Sequence, residues 1–210
     1  MKAKILSMLL LQDSMNQKVH PKWDKQGFNW TRAIMVESVE ALEHYGWKWW
    51  KKQEPDIAQF HIELVDIWHF IMSKFLQNSE ITDVADYFAD SFERGAPHYM
   101  LESDVRTNLE LLIGRAAGRE VYLAPFLALM AQTNLSFDEL YTMYVAKNVL
   151  NIFRQDHGYK DGTYIKMWGG REDNVVLAEF LKFNPNVTTL ELRASLERVY
   201  QEVLKDWATV

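Results

Sequence analysis

Two pairs of carboxylates stand out by their spacing. Glu37 and Glu40 lie three apart in Met35-Val36-Glu37-Ser38-Val39-Glu40, and Glu63 and Asp66 lie three apart in Ile62-Glu63-Leu64-Val65-Asp66. Residues three apart share one face of a helix. Two such helices packed antiparallel can bring all four carboxylates together, and four converging acids repel one another unless cations stand between them. Hard oxygen ligands, with neither cysteine nor a histidine pair beside them, suit Mg²⁺ or Mn²⁺. The surroundings sharpen the reading. On a helical wheel Trp30, Ala33, Ile34, Met35, Val36, Val39 and Leu42 point in nearly every direction, the pattern of a helix buried all round. In the second segment Gln59, Glu63, Asp66, Ser73 and Lys74 form a polar stripe that by itself reads as a solvated face. Ile62, Ile67 and Phe70 border that stripe and would be left wet. A di-iron carboxylate bundle would need two Glu-x-x-His pairs; the sequence offers only Asp66-x-x-His69, so His69 reads as a core or supporting histidine.

A second concentration of chemistry lies towards the C-terminus. Lys147, Asn151 and Arg154 sit at i, i+4 and i+7, on one helix face, and are followed by Gly158-Tyr159-Lys160, Tyr164, Lys166, Trp168-Gly169-Gly170 and Glu172-Asp173-Asn174. Cations and amides at a helix end beside a glycine-containing loop suit phosphate oxygens, although a solvated helix end with a turn has the same composition. Acidic metal ligands together with a basic phosphate clamp add up to metal-assisted phosphoryl chemistry.

The elements that must position these groups are helical. The 5 prolines and 9 glycines are few and clustered, which predicts long helices with few connections. The pattern places helices at about 5–17, 30–45, 56–75, 101–116, 120–132, 137–153 and 188–206, the last capped by Thr188 or Thr189, with a Gly- and Tyr-rich loop over 155–171. Segment 79–99 is short, mixed and hard to read. No alternation long enough for a sheet appears. The expected architecture is all-α, a helical bundle forming a single domain over 1–210, in which 78–143 is helical but carries no usable motif.

The balance of 23 basic against 29 acidic residues gives a net charge of −6, which disfavours a duplex nucleic-acid binder. The 48 % apolar and 25 % charged fractions are those of a folded protein. With no cysteine, disulfide scaffolds, thiolate metal sites and cysteine nucleophiles are excluded. Lys2 and Lys4 before the run Ile5–Leu11 superficially resemble a secretory leader, but Gln12-Asp13 follow in place of a small-residue cleavage site. No stretch approaches the length of a membrane span; a cytoplasmic protein is expected.

Taken in order, the motifs resemble the all-α dimeric dUTPases, relatives of the MazG-like nucleoside triphosphate pyrophosphohydrolases. The resemblance runs through Leu11-Gln12-x-x-Met15-Asn16, Met35-Val36-Glu37-x-x-Glu40, Trp47-Lys48-x-Trp50-Lys51, Ile62 to Phe70, Lys147-Asn148 to Gly158-Tyr159-Lys160, and Tyr164 to Asn174. It implies that Glu37, Glu40, Glu63 and Asp66 hold Mg²⁺, with Mn²⁺ as a substitute, and that Glu37 activates the attacking water. It further implies that Gln12, Asn16 and Trp47 form the pocket for base and deoxyribose. Asn151 and Tyr159 would fix the nucleotide, Arg154, Lys160 and Lys166 would hold the phosphates, and Asn174 would join the same site. The activity so implied is Mg²⁺-dependent hydrolysis of dUTP and dUDP to dUMP by a homodimer. Gly46 and Trp49 stand where the family usually has Pro and His. They flank the base pocket, so they bear on substrate choice more than on reaction type. A dCTP or broader house-cleaning pyrophosphatase is the alternative, and a non-catalytic helical binding protein the third reading.

Overall fold

Short polar residues and glycines mark where the helices begin and end. The side chains of Asn29, Asp56 and Asp104 accept hydrogen bonds from the backbone N–H of Arg32, Gln59 and Arg106. Ser136 with Glu139 and Thr188 with Glu191 form reciprocal capping boxes, which satisfy donors the helix cannot pair internally. Gly46 follows the second helix at φ +84°, and a Cβ there would also lie 2.9 Å from Gln53 Cβ.

The computed structural model describes residues 1–207. Its helices are α1 (Lys2–Val19), α2 (Trp30–Tyr45), α3 (Ile57–Leu76), α4 (Ile81–Arg94), α5 (His98–Leu101), α6 (Val105–Ala117), α7 (Leu123–Gln132), α8 (Phe137–Asp156), α9 (Asp173–Phe183) and α10 (Thr189–Trp207). A 3-10 turn spans Trp23–Lys25 and a two-residue antiparallel ribbon joins β1 (Met167–Trp168) to β2 (Arg171–Glu172). The all-α reading therefore holds. Helices α2 and α3 pack antiparallel: Trp30 stacks near Phe70, His44 reaches Glu63, and Tyr45 packs on Phe60. Helix α6 covers α2, while α1 packs on α3, α4 and α8.

Two hydrophobic clusters result. The larger is built on α1, α2, α3, α4, α6, α7 and the start of α8. Its centre is Trp68, fully buried and stacked on Phe126 at 5.4 Å, with Phe88 and Phe92 against its other sides. Ile5, Met8 and Leu9, from the leader-like run, are fully buried in it. The second joins Ala146, Leu150 and Phe153 of α8 to Trp168, Leu177, Leu192, Leu196 and Tyr200. Helix α8 thus belongs to both. No helix among the described residues is long and apolar enough to cross a membrane.

Three expectations change. The stretch 79–99 contains α4, whose Val84, Ala85, Phe88 and Ala89 form a regular apolar stripe beneath an acidic outer face. Helix α9 and the ribbon fill the region read as a loop and an unassigned segment. Helix α2 is buried on one side only, through Thr31, Ile34, Ser38 and Ala41, while Val36 and Val39 are exposed. A wheel counts apolar residues; it does not say how many faces one chain can cover.

Replacing Trp68 by Ala removes the aromatic centre of the larger cluster. It is expected to cost about 3–5 kcal/mol, read as a lowered urea midpoint at unchanged m-value.

Candidate active site

The antiparallel pairing of α2 and α3 sets acid against acid. Glu37, Glu63 and Asp66 each bring one carboxylate oxygen within 4.8 Å of the others. Glu63 is only 7 % exposed, so the polar stripe on α3 faces inward. Burial, reinforced by the neighbouring charges of Asp66 and Glu40, pushes Glu37 up to about 7. Burial, reinforced by Asp66 and Glu37, pushes Glu63 up to about 8. Glu40, one turn further along α2, is exposed and stands outside the three-acid group.

One cation already leans into the cluster. Lys147 of α8, 4 % exposed, donates to Asp66 Oδ2 at 2.7 Å and to Asn174 Oδ1 at 2.8 Å. Arg154, two turns on, is gripped from the other side. Its Nε and Nη2 donate to the two oxygens of Asp173 at 2.8 and 2.7 Å, and Nη2 also donates to Asn174 Oδ1 at 2.8 Å. Its Nη1 donates to Asn151 Oδ1 at 3.2 Å. Asp173 is fully buried and accepts a further bond from the Tyr164 hydroxyl at 2.7 Å. Lys147, Asn151, Arg154 and Asn174 are therefore brought together beside the acids, and Arg154 is a buried strut with its fork committed to a carboxylate.

Tyr159 lies under the Arg154 guanidinium, 5.6 Å from it, and is exposed. Gly158 at φ +84° makes the turn into it; a Cβ there would collide with the Thr163 hydroxyl. Lys160 donates to the Val19 carbonyl at 3.1 Å and Lys166 pairs with Glu172 at 2.8 Å. Trp47 donates to Glu43 at 2.7 Å, and its ring meets Trp50 edge to face. Gln12 and Asn16 are buried and bonded to each other, to Ser73 and, through Gln12, to His69 and Tyr144.

The sequence set Lys147 on a helix face suited to phosphate oxygens; the structure turns it to Asp66 instead. Asp173, Tyr164, Ser73 and Tyr144 went unassigned. Asp173 and Asn174 did sit inside a quoted motif; that one would meet Arg154 and the other both cations needed the chain path through β1, β2 and α9.

The donor set fits a divalent cation. Three hard carboxylates converge in a half-buried seam, and the protons that burial favours on Glu37 and Glu63 would be released to a metal. For both Glu37 and Glu63 the folded-state pKa lies above the ordinary 4.5. Their stabilising contribution is thus full below that value and lost as pH rises through about 7 and 8. Metal-free protein should show a melting temperature that falls from pH 5 to pH 8.5, with Glu63→Gln flattening the slope. Mg²⁺ should raise the melting temperature more at pH 8 than at pH 6; equal increments at both would count against a shared site. Separately, Asp173→Ala leaves a buried guanidinium without its carboxylate and should cost about 3–5 kcal/mol in chemical denaturation.

Comparison with curated proteins gives no match. A family model described as dUTPase matches residues 4–159, which takes in α1 to α8, the three acids and the stretch 78–143 in which no motif was legible. The chain therefore belongs to the all-α dUTPase family and is a dUTP diphosphatase.

Proposed function

We propose that this chain hydrolyses dUTP, and also dUDP, to dUMP in a Mg²⁺-dependent reaction, with Mn²⁺ as a substitute. The observation that carries the reading is the cluster of Glu37, Glu63 and Asp66 in a chain of this family. These three residues would hold the metal, and Glu40 would join them from the solvent side. Bound Mg²⁺ would supply the positive charge that polarises the phosphate oxygens. The residues have separate tasks. Glu37 accepts the proton of the attacking water as the α–β phosphoanhydride bond of dUTP breaks and pyrophosphate leaves. Lys160 and Lys166 lie on an exposed loop, from which they can turn to the leaving phosphates. Arg154, Asn151 and Asn174 form the wall behind them, with Tyr159 packed on it. Gln12 and Asn16 take the base and sugar; Trp47, which the resemblance put with them, stands just past the α2 end that packs on Phe60, about 20 Å along α3 from the Ser73 that they bond, and does not share that pocket within one chain. A cytoplasmic location goes with this reading.

A homodimer fits the surface. Val36 and Val39 of α2 are 44 % and 45 % exposed, an apolar strip that one chain leaves uncovered. A wider substrate range, including dCTP, is the second reading; it is favoured by Trp49, which is 90 % exposed where the family usually has His.

The test is phosphate and pyrophosphate release from dUTP, dUDP, dCTP and dTTP with and without Mg²⁺. Turnover of dUTP and dUDP only with the metal is expected, and turnover of dCTP alone would overturn the base assignment. Glu37→Gln should stay folded and bind nucleotide while kcat falls by about 10²–10⁴. Normal turnover in that variant would remove Glu37 from its role.

A further inference from the structure

The acid seam carries its own counter-ion. Lys147 Nζ donates to Asp66 Oδ2 at 2.7 Å and to Asn174 Oδ1 at 2.8 Å, and only 5 % of the lysine side chain is exposed. Ile62, Val65, Met143 and Leu177 line the cleft beside its stem, so the ammonium is solvated by these two protein oxygens more than by water. Its charge is felt beyond Asp66. Burial raises the pKa of both Glu37 and Glu63, and Lys147 works against that rise in each.

A divalent ion held by Asp66 with Glu37 and Glu63 would share a carboxylate with this ammonium. Two cations so close repel strongly where water cannot screen them, so the metal must take Asp66 from Lys147. The ammonium then keeps only the neutral amide oxygen of Asn174. The neighbouring acid cannot receive it: Asp173 already accepts from Arg154 Nε and Nη2, from the Tyr164 hydroxyl and from the Asn174 N–H. A buried charge stripped of its partner is costly, and that cost opposes the metal. Phosphate oxygens beside the seam remove it by giving Lys147 a new counter-charge. Lys147 shares its helix face with Asn151 and Arg154, on the side from which a polyphosphate would meet the acids.

We propose that Lys147 is a resident counter-ion that makes metal and nucleotide binding interdependent: it opposes retention of a free divalent ion, and it turns from Asp66 to the phosphates when metal and nucleotide are bound together. This rests on the reading of the three acids as the metal site for a nucleotide substrate. The probe is Mn²⁺, with the free ion counted by electron paramagnetic resonance. Lys147→Met keeps an unbranched stem and removes the charge, so without nucleotide it should bind Mn²⁺ about tenfold or more tighter than wild type. Equal or weaker binding overturns the proposal. Adding dUMP should tighten Mn²⁺ binding in wild type and do so less in Lys147→Met; an equal effect in both also overturns it. Should the variant fail to fold, the wild-type protein still decides. The Lys147 ammonium protons, followed by ¹⁵N NMR, should exchange slowly without metal and faster when Mg²⁺ alone saturates the site, because Asp66 no longer holds them. Unchanged exchange at saturation overturns the proposal. Absence of Mn²⁺ binding by wild type and variant alike, with and without dUMP, would instead fail the metal reading itself.

Discussion

Three acids gathered along one half-buried seam between two helices are the constraint from which the surrounding structure follows. Isolated carboxylates there would be too costly to keep charged, so the chain surrounds them with compensation. His44 stands 3.5 Å from Glu63, and Lys147 comes from α8 to Asp66. For Lys147 to arrive, α8 must run beside α3, and for its second partner Asn174 to arrive, the chain must return after α8 at the start of α9. A divalent cation is the remaining compensation that this geometry admits.

That return depends on the smaller hydrophobic cluster. Phe153, Tyr164, Trp168 and Tyr200 pack ring against ring, and the Tyr200 hydroxyl accepts from the Ile165 N–H at 3.0 Å. This packing directs the ribbon back so that Asp173 meets Arg154. A buried, bidentate ion pair contributes little net stability compared with well-packed apolar residues, yet breaking it leaves a charge stranded. We read it as a register device: Arg154 and Asp173 satisfy each other in one alignment of α8 against α9, and that alignment also puts Asn174 between Arg154 and Lys147. The family match ends at Tyr159, so half of this clamp lies beyond it.

The parts legible in the sequence were those with local causes. Helix starts at Asn29, Asp56 and Thr188 follow from side chains that cap their own backbone, and the i, i+3 acids follow from helical period alone. Convergence of Glu37, Glu63 and Asp66 was readable because two adjacent helices with a short connection have few ways to pack. Helix α4 was missed although its apolar stripe is regular, since the acids and aromatics between the stripe positions masked the period. Helix α9 was missed because its start is set by a ribbon of two residues per strand, too short to show alternation. The roles of Arg154 and Lys160 were the least legible. A cation's type is visible in sequence, but whether it meets a carboxylate, a backbone carbonyl or solvent is decided by distant chain segments.

Helix α3 ties the two halves of the site to one ruler. Glu63, Asp66, His69 or Phe70, and Ser73 recur at the three- and four-residue spacing that keeps them on one face. Seven residues separate Asp66 from Ser73, a rise of about 10 Å along the axis. One rigid helix therefore sets the distance between the group that orders the amides and the acids that gather charge. The same helix sets direction as well as distance. Because the Ser73 proton ends on the backbone of α3 itself, the polarity of the amide network is anchored in the helix that carries Glu63 and Asp66.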